Sequence, residues 1–284
     1  MTNRKSESKP HKLGDILVLL LLCVFVGGIA FSAWKLLSIN RESETGIDTY
    51  TELAQMAVVK QEQTKPAEKQ EETAPVLIDE KEPKPSHEAS VQEQEPIVEI
   101  DFEALQSVNA QIVAWIRSDD GQIDYPVVHG SDNRYYLNHL VDGTENKNGS
   151  IFIDWRNPGD FSYWNTFVYG HNMNNGSMFA PILQYSTAGY YEAHRQLRLF
   201  TPEAQYALEV FSGYTLASNS DSYQIHYDTE AEYAEYLERI QARSEFSTDV
   251  SVSVQDRIVT LSTCAYVFDN ARYVLHCRLI RLDA

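Results

Sequence analysis

The first strongly patterned stretch is Ile16 to Trp34, almost wholly apolar, behind Arg4, Lys5, Lys9 and Lys12 set against only Glu7 and Asp15. As a helix at about 1.5 Å per residue it spans roughly 28 Å, close to the hydrocarbon thickness of a bilayer. A basic flank stays cytoplasmic, so the pattern predicts a cytoplasmic tail over 1–15, a single-pass signal-anchor helix over 16–37, and the remainder outside the cell membrane. Ala30-Phe31-Ser32 offers the competing reading of a cleaved leader, but the apolar run continues to Leu36-Leu37 and exceeds the usual leader core.

Residues 38–99 then read as a polar, acidic linker. Between Arg41 and Ile100 stand fifteen acidic residues against six basic ones, with prolines at 66, 75, 83, 85 and 96 and few large hydrophobics. Such a stretch buries too little surface to offset its ordering entropy, so 60–98 is expected to be an extended, self-repelling tether, a spacer or simply a solubilising linker. Residues 42–59 are read as continuing in helix at the membrane surface.

Periodicity returns at residue 100 and holds to 284, the length of one domain. Asp101 is placed as the N-cap of a helix whose apolar positions Phe102, Leu105, Val108, Ile112 and Trp115 follow helical spacing. Asp119-Asp120-Gly121 turns the chain into Ile123–Val128, where Pro126 predicts an edge strand or its approach. Asp132 to Leu140 and Ser177 to Tyr185 read as short helices, and Thr229 to Arg243 as a longer one with Tyr233, Tyr236, Leu237 and Ile240 on one face. Strands are expected at 150–154, 166–169, 197–201, 205–216, 223–227, 257–261 and 272–280. Short strands interrupted by two or three helices and ending in two long ones indicate a mainly β fold, a closed or nearly closed barrel.

The net charge of −18 argues against nucleic acid or anionic headgroups as partners. Of three cysteines, Cys23 lies in the apolar run. Cys264 and Cys277 are separated along a strand by roughly 16 Å at about 3.3 Å per residue, too far for a disulfide. A reactive thiol explains such a domain better than a covalent framework, and Cys277 reads as a small buried strand residue.

Candidate chemistry gathers at the last two strands. Thr260-Leu261-Ser262-Thr263-Cys264 delivers a thiol to a strand end, and Arg272 opens the returning strand, so the two face each other across a hairpin mouth. Thiolate is the reactive form of cysteine, and a guanidinium stabilises thiolate or a developing oxyanion. The acid or base is assigned to His171, presented by Gly170 after the apolar strand Phe167-Val168-Tyr169. His129, His139, His194 and His226 carry no such signature, His11 and His87 lie outside the fold, and His276 alternates with Cys277, so one of the two faces outward. Cys, His and Arg together make an acyl-transfer site.

Val168-Tyr169-Gly170-His171-Asn172, Thr260-Leu261-Ser262-Thr263-Cys264 and Arg272-Tyr273-Val274 together resemble the sortases, specifically class B, over roughly residues 100–282. The resemblance implies a closed eight-stranded β-barrel with an N-terminal helix and a further helix between the sixth and seventh strands. It implies a cysteine transpeptidase in which Cys264 attacks, His171 protonates the leaving amine and Arg272 holds the sorting signal and its oxyanion. Asn133, Leu137, Tyr223 and Ser262 match positions that line the peptide groove, or else serve packing and turns. The implied partners are secreted proteins with a C-terminal sorting signal and an amine acceptor from a peptidoglycan precursor or a pilin. Ala265 and Cys277 depart from the residues common in that class.

Rival readings are a pilin-polymerising sortase or a hydrolase on the same trio, and a catalytically idle surface scaffold. No cofactor is expected: acidic residues are scattered, and no EF-hand, HExxH, zinc or phosphate-loop pattern occurs.

Overall fold

The computed structural model describes residues 12–59 and 99–282. The tail before Lys12 and the tether predicted over 60–98 lie outside the described residues. Helix α1 runs unbroken over Lys12–Ala57. Its first half is exposed from Val18 to Leu37 and is long and apolar enough to cross a membrane. Its second half does something else: Tyr50, Leu53 and Ala57, spaced to share one face, are buried against the folded domain. The helical reading of 42–59 thus holds as far as Ala57, but the helix is docked on protein and the last two residues of that stretch are strand. Strand β1 (Val58–Val59) then pairs antiparallel with β2 (Glu99–Ile100).

Asp101 caps α2, its carboxylate accepting from the Ala104 N–H at 2.8 Å. The helix stops at Val108 (Phe102–Val108), not at Trp115 as the spacing suggested. Asn109 is extended (φ −151°), and Ile112–Ser118 is strand β3, buried on both faces. The β-branched Ile112, Val113 and Ile116 favour a strand, and apolar residues on both faces mimic helical spacing.

Strands β4 (Asp124–His129), β5 (Ile151–Ile153), β6 (Asn165–Tyr169), β7 (Gln196–Phe200), β8 (Gln205–Ala217), β9 (Ile258–Cys264) and β10 (Ala271–Arg281) complete a closed barrel in the order β10-β8-β7-β3-β4-β5-β6-β9. The pairs β4–β5 and β6–β9 are parallel and the rest antiparallel. Pro126 does not mark an edge: β4 pairs on both sides, and the proline sits one residue before the β5 ladder begins at Val127↔Ile151.

The short helices predicted after residues 132 and 177 are 3-10 turns at Tyr135–Leu137 and Ala180–Ser186, the second followed by α3 (Tyr190–Ala193). The long one is α4 (Glu230–Ala242), capped by Thr229, between the sixth and seventh barrel strands. The strand expected at 223–227 is absent. A closed barrel offers no edge for it, and Gln224 and Tyr227 bond locally instead.

Helix α4 lays Tyr233, Tyr236, Leu237 and Ile240 on the outer wall, forming a second core with Phe211, Tyr214, Ile258 and Val274. This resolves the alternation at the C-terminal strand. Cys277 belongs to the barrel core and His276 lies against the α4 layer, with a bulge between them, so both are buried.

Burial holds the His276 imidazole neutral, its pKa moved down from 6.5 to about 3. Between those values the unfolded chain binds a proton that the fold refuses, so this stability is complete above pH 6.5 and is lost as pH falls toward 3. The urea midpoint is therefore expected to drop over that window, and the slope to be shallower in His276→Gln. Equal slopes in the two proteins would remove His276 as the cause.

Candidate active site

Two strand pairings bring the reacting groups together. In the parallel ladder Tyr169 lies opposite Ser262, so His171 and Cys264, each two residues further on, emerge at the same barrel rim. In the antiparallel ladder Arg272 is the direct partner of Cys264, which puts their side chains on one face. Antiparallel neighbours are legible from a hairpin, whereas the parallel juxtaposition of His171 with Cys264 is a long-range event.

Gly170 makes the turn between β6 and the histidine. A Cβ there would lie 2.7 Å from the Phe179 ring and nearer still to Ile151, so only glycine lets this rim close. Beyond it, Phe179 N–H donates to the His171 carbonyl at 2.9 Å, and Asn172 bridges Met178, folding 171–179 back on itself. The His171 Nε2 lies 2.7 Å from the Leu137 carbonyl. A carbonyl only accepts, so Nε2 carries the hydrogen.

Cys264 is half-buried at the strand end. Its carbonyl accepts from Asn172 Nδ2 at 2.9 Å, and Thr263 Oγ1 donates to the Gly170 carbonyl at 2.8 Å, so the thiol and imidazole loops are stitched together. Arg272 donates Nη1–H to the adjacent Ala271 carbonyl at 2.9 Å, and no described acidic side chain pairs with it. Its guanidinium is thus left with donors to offer.

These groups line an open cleft of about 330 Å³, and the structure brings all seven residues singled out from the sequence to it. Tyr223 and Ser262 share a hydrogen bond of 2.9 Å between hydroxyls. Burial pushes the Tyr223 phenol up, keeping it a donor. Leu137 contributes a carbonyl as well as a side chain. Asn133 has its amide already committed, Nδ2 to Asp154 at 3.0 Å and Oδ1 to the Trp155 N–H at 2.9 Å.

Asp154, which sequence reasoning passed over, organises the cleft's other wall. Fully buried, it accepts from Arg156 Nε and Nη2 (2.9 and 2.8 Å), Tyr169 (2.9 Å) and Asn133. Burial alone raises its pKa, but these bonds outweigh it and hold the carboxyl below its usual range. Phe152, Arg156, Tyr169 and Ser218 also line the cleft. The only available signal for the Asp154–Arg156 pair was an acid and an arginine two apart after a strand. Among the described residues, no cluster of three or more His, Cys, Asp or Glu is placed to hold a metal ion.

A family model described as the sortase domain matches residues 116–280, more than half of the chain. The chain belongs to the sortase family. A sortase B of Listeria monocytogenes serovar 1/2a is 34% identical over 178 residues, covering 62% of this chain and 72% of that protein. The Staphylococcus aureus sortase B–substrate complex superposes with a TM-score of 0.61 at 33% identity, over 64% of this chain and 85% of that one. Sortase B from B. anthracis in complex with AAEK1 gives 0.67 at 32% identity, over 86% and 100%. The chain is accordingly a class B-like sortase and a cysteine transpeptidase, with the eight-stranded barrel that membership implied.

In this sortase, Asp154→Ala is expected to unfold more easily by about 3 kcal/mol, because Arg156, Asn133 and Tyr169 all lose their common acceptor. Asp154→Asn should lose less. Urea denaturation measures both, and a cost below about 1 kcal/mol for alanine would show that the cluster is not holding the wall.

Proposed function

We propose that this sortase, anchored by α1 with its barrel on the outer face of a Gram-positive cell membrane, cleaves a C-terminal sorting signal of secreted proteins. The observation that carries the reading is the pairing of Cys264 with Arg272 on the rim where His171 emerges. The basic residues before the apolar half of α1 support the orientation. That the S. aureus neighbour is a sortase B–substrate complex supports a substrate in this cleft as well.

In this scheme Cys264 thiolate attacks the carbonyl of a Thr–Gly or Thr–Asn bond. Arg272 holds the signal and offers N–H groups to the tetrahedral oxyanion, which costs no reorganisation because no carboxylate has to be displaced. Collapse breaks the C–N bond as His171 gives a proton to the departing amine, leaving a thioacyl enzyme. With Nε2–H committed to Leu137, Nδ1 is the nitrogen that exchanges this proton. An amine from a peptidoglycan cross-bridge or a pilin lysine attacks the thioester, gives its proton to His171 and releases Cys264.

Cys264→Ala should abolish both peptide cleavage and the acyl-enzyme mass, and Arg272→Lys should lose roughly 100-fold in kcat/KM, since a point charge lacks the guanidinium fork. Retained turnover in the alanine variant refutes the nucleophile. Added amines should divert product from hydrolysis to transfer; a product distribution indifferent to amine would make the enzyme a hydrolase.

A further inference from the structure

Helix α1 reaches the histidine by three routes, all from one face. At its membrane-proximal end, Ser43 Oγ accepts from Asn175 Nδ2 at 2.8 Å, in the loop that begins with His171. Two turns on, the buried Tyr50 hydroxyl donates to the Gly149 carbonyl at 2.5 Å. Gly149 is wedged under the Leu137 carbonyl, so closely that a Cβ there would stand 2.7 Å from that oxygen. This is the carbonyl that receives the His171 Nε2–H. The Tyr50 ring also stands edge-on to Tyr125, 5.3 Å between centroids. Tyr125 accepts from the Met178 N–H at 3.0 Å, and the next N–H, of Phe179, holds the His171 carbonyl. The imidazole, the backbone behind it and the tip of its loop are thus each fastened to α1.

The helix is shaped for this contact. Gly46, buried between Ser43 and Tyr50, lets the Asn148 side chain lie on the helix backbone and donate to the Ser43 carbonyl at 3.2 Å; a Cβ would collide with it. Glycine is a poor helix former, so its place here answers to packing. Glu42 adds an ion pair to Lys147 at 2.8 Å on the same loop.

We infer that Tyr50 and Ser43 of the anchor helix are positioning residues for His171, setting the orientation of the imidazole through Gly149, Leu137 and the 171–179 loop. The inference rests on His171 belonging to the reacting trio. Among the described residues, none of α1 lines the cleft, so its effect travels through packed and hydrogen-bonded neighbours.

The test uses the full chain in detergent micelles, with histidine labelled by 15N. The His171 Nε2–H resonance, identified by its loss in His171→Gln, reports the Leu137 bond directly. Tyr50→Phe keeps the ring and removes the hydroxyl that bonds the Gly149 carbonyl and, at 3.1 Å, the neighbouring Ser150 Oγ; it is expected to speed exchange of that proton and to lower kcat on a fluorogenic sorting pentapeptide, each about fivefold, with KM within about twofold. Gly46→Ala provides a second variant, expected to act in the same direction although it favours helix. Unchanged proton exchange and unchanged kcat in both variants, whatever their melting temperature, would reduce α1 to a structural strut. A wild-type chain that fails to cleave the pentapeptide would defeat the proposed reaction instead, and the proton-exchange comparison would still decide the positioning.

Discussion

Everything at the rim depends on the register of β6 against β9. Parallel neighbours joined by the 88 residues from 170 to 257 gain nothing from a tight turn, and a slip of one residue would send every side chain to the opposite face. A buried polar relay prevents it. Asn165 opens β6, and its Oδ1 accepts from Thr260 of β9 at 2.8 Å while its Nδ2 donates to Tyr236 of α4 at 3.0 Å. Thr260 has then spent its proton, so at 2.9 Å it is His276 Nδ1–H of β10 that donates to Thr260. Three strands carrying His171, Cys264 and Arg272 are thereby pinned by Asn165, Thr260 and His276, on the outer wall beneath α4. Burial keeps this imidazole neutral, with Nδ1 donating to Thr260 and Nε2 lying 3.3 Å from the Tyr214 hydroxyl.

The two walls of the cleft are built on opposite principles. Around Asp154, Arg156, Asn133 and Tyr169 the donors converge on one carboxylate, which makes a rigid, internally satisfied wall. Around Cys264 and Arg272 little is satisfied: the guanidinium holds one backbone carbonyl and the thiol lies at a strand end. A group that spends its donors on neighbours has none left for an oxyanion, so the polar bonds that stabilise the fold sit beside the reacting groups and leave them free.

What the sequence disclosed follows from the range of the interactions. Cys264 opposite Arg272 was legible because a short connection between two apolar runs forces antiparallel pairing. His171 was legible from glycine ending a strand, and the resemblance to sortases placed the pair in one site. Asp154 was not, because an aspartate after a strand reads as a turn residue until Asn133 and Tyr169 arrive from elsewhere in the chain. Nor was β3, whose two buried faces imitate helical spacing between Phe102 and Trp115. The part played by Leu137 is a backbone carbonyl, which no side-chain pattern can announce.

In the proposed topology, the docking of α1 also changes what determines the height of the site above the membrane. From composition, the acidic stretch after residue 60 looks like the spacer. Yet the helix before it is already packed on the barrel through Tyr50, Leu53 and Ala57, and Val58-Val59 pairs directly with Glu99-Ile100 where the chain returns. Residues 59 and 99 therefore stand side by side, and the length of chain between them cannot set the distance from bilayer to barrel. That distance belongs to the helix itself. From Leu37, the end of the apolar run, to Ser43, which holds the His171 loop, is six residues, about 9 Å of helix. In the proposed topology the cleft rim is held next to the lipid surface by a rigid element, within reach of substrates that are themselves tethered there.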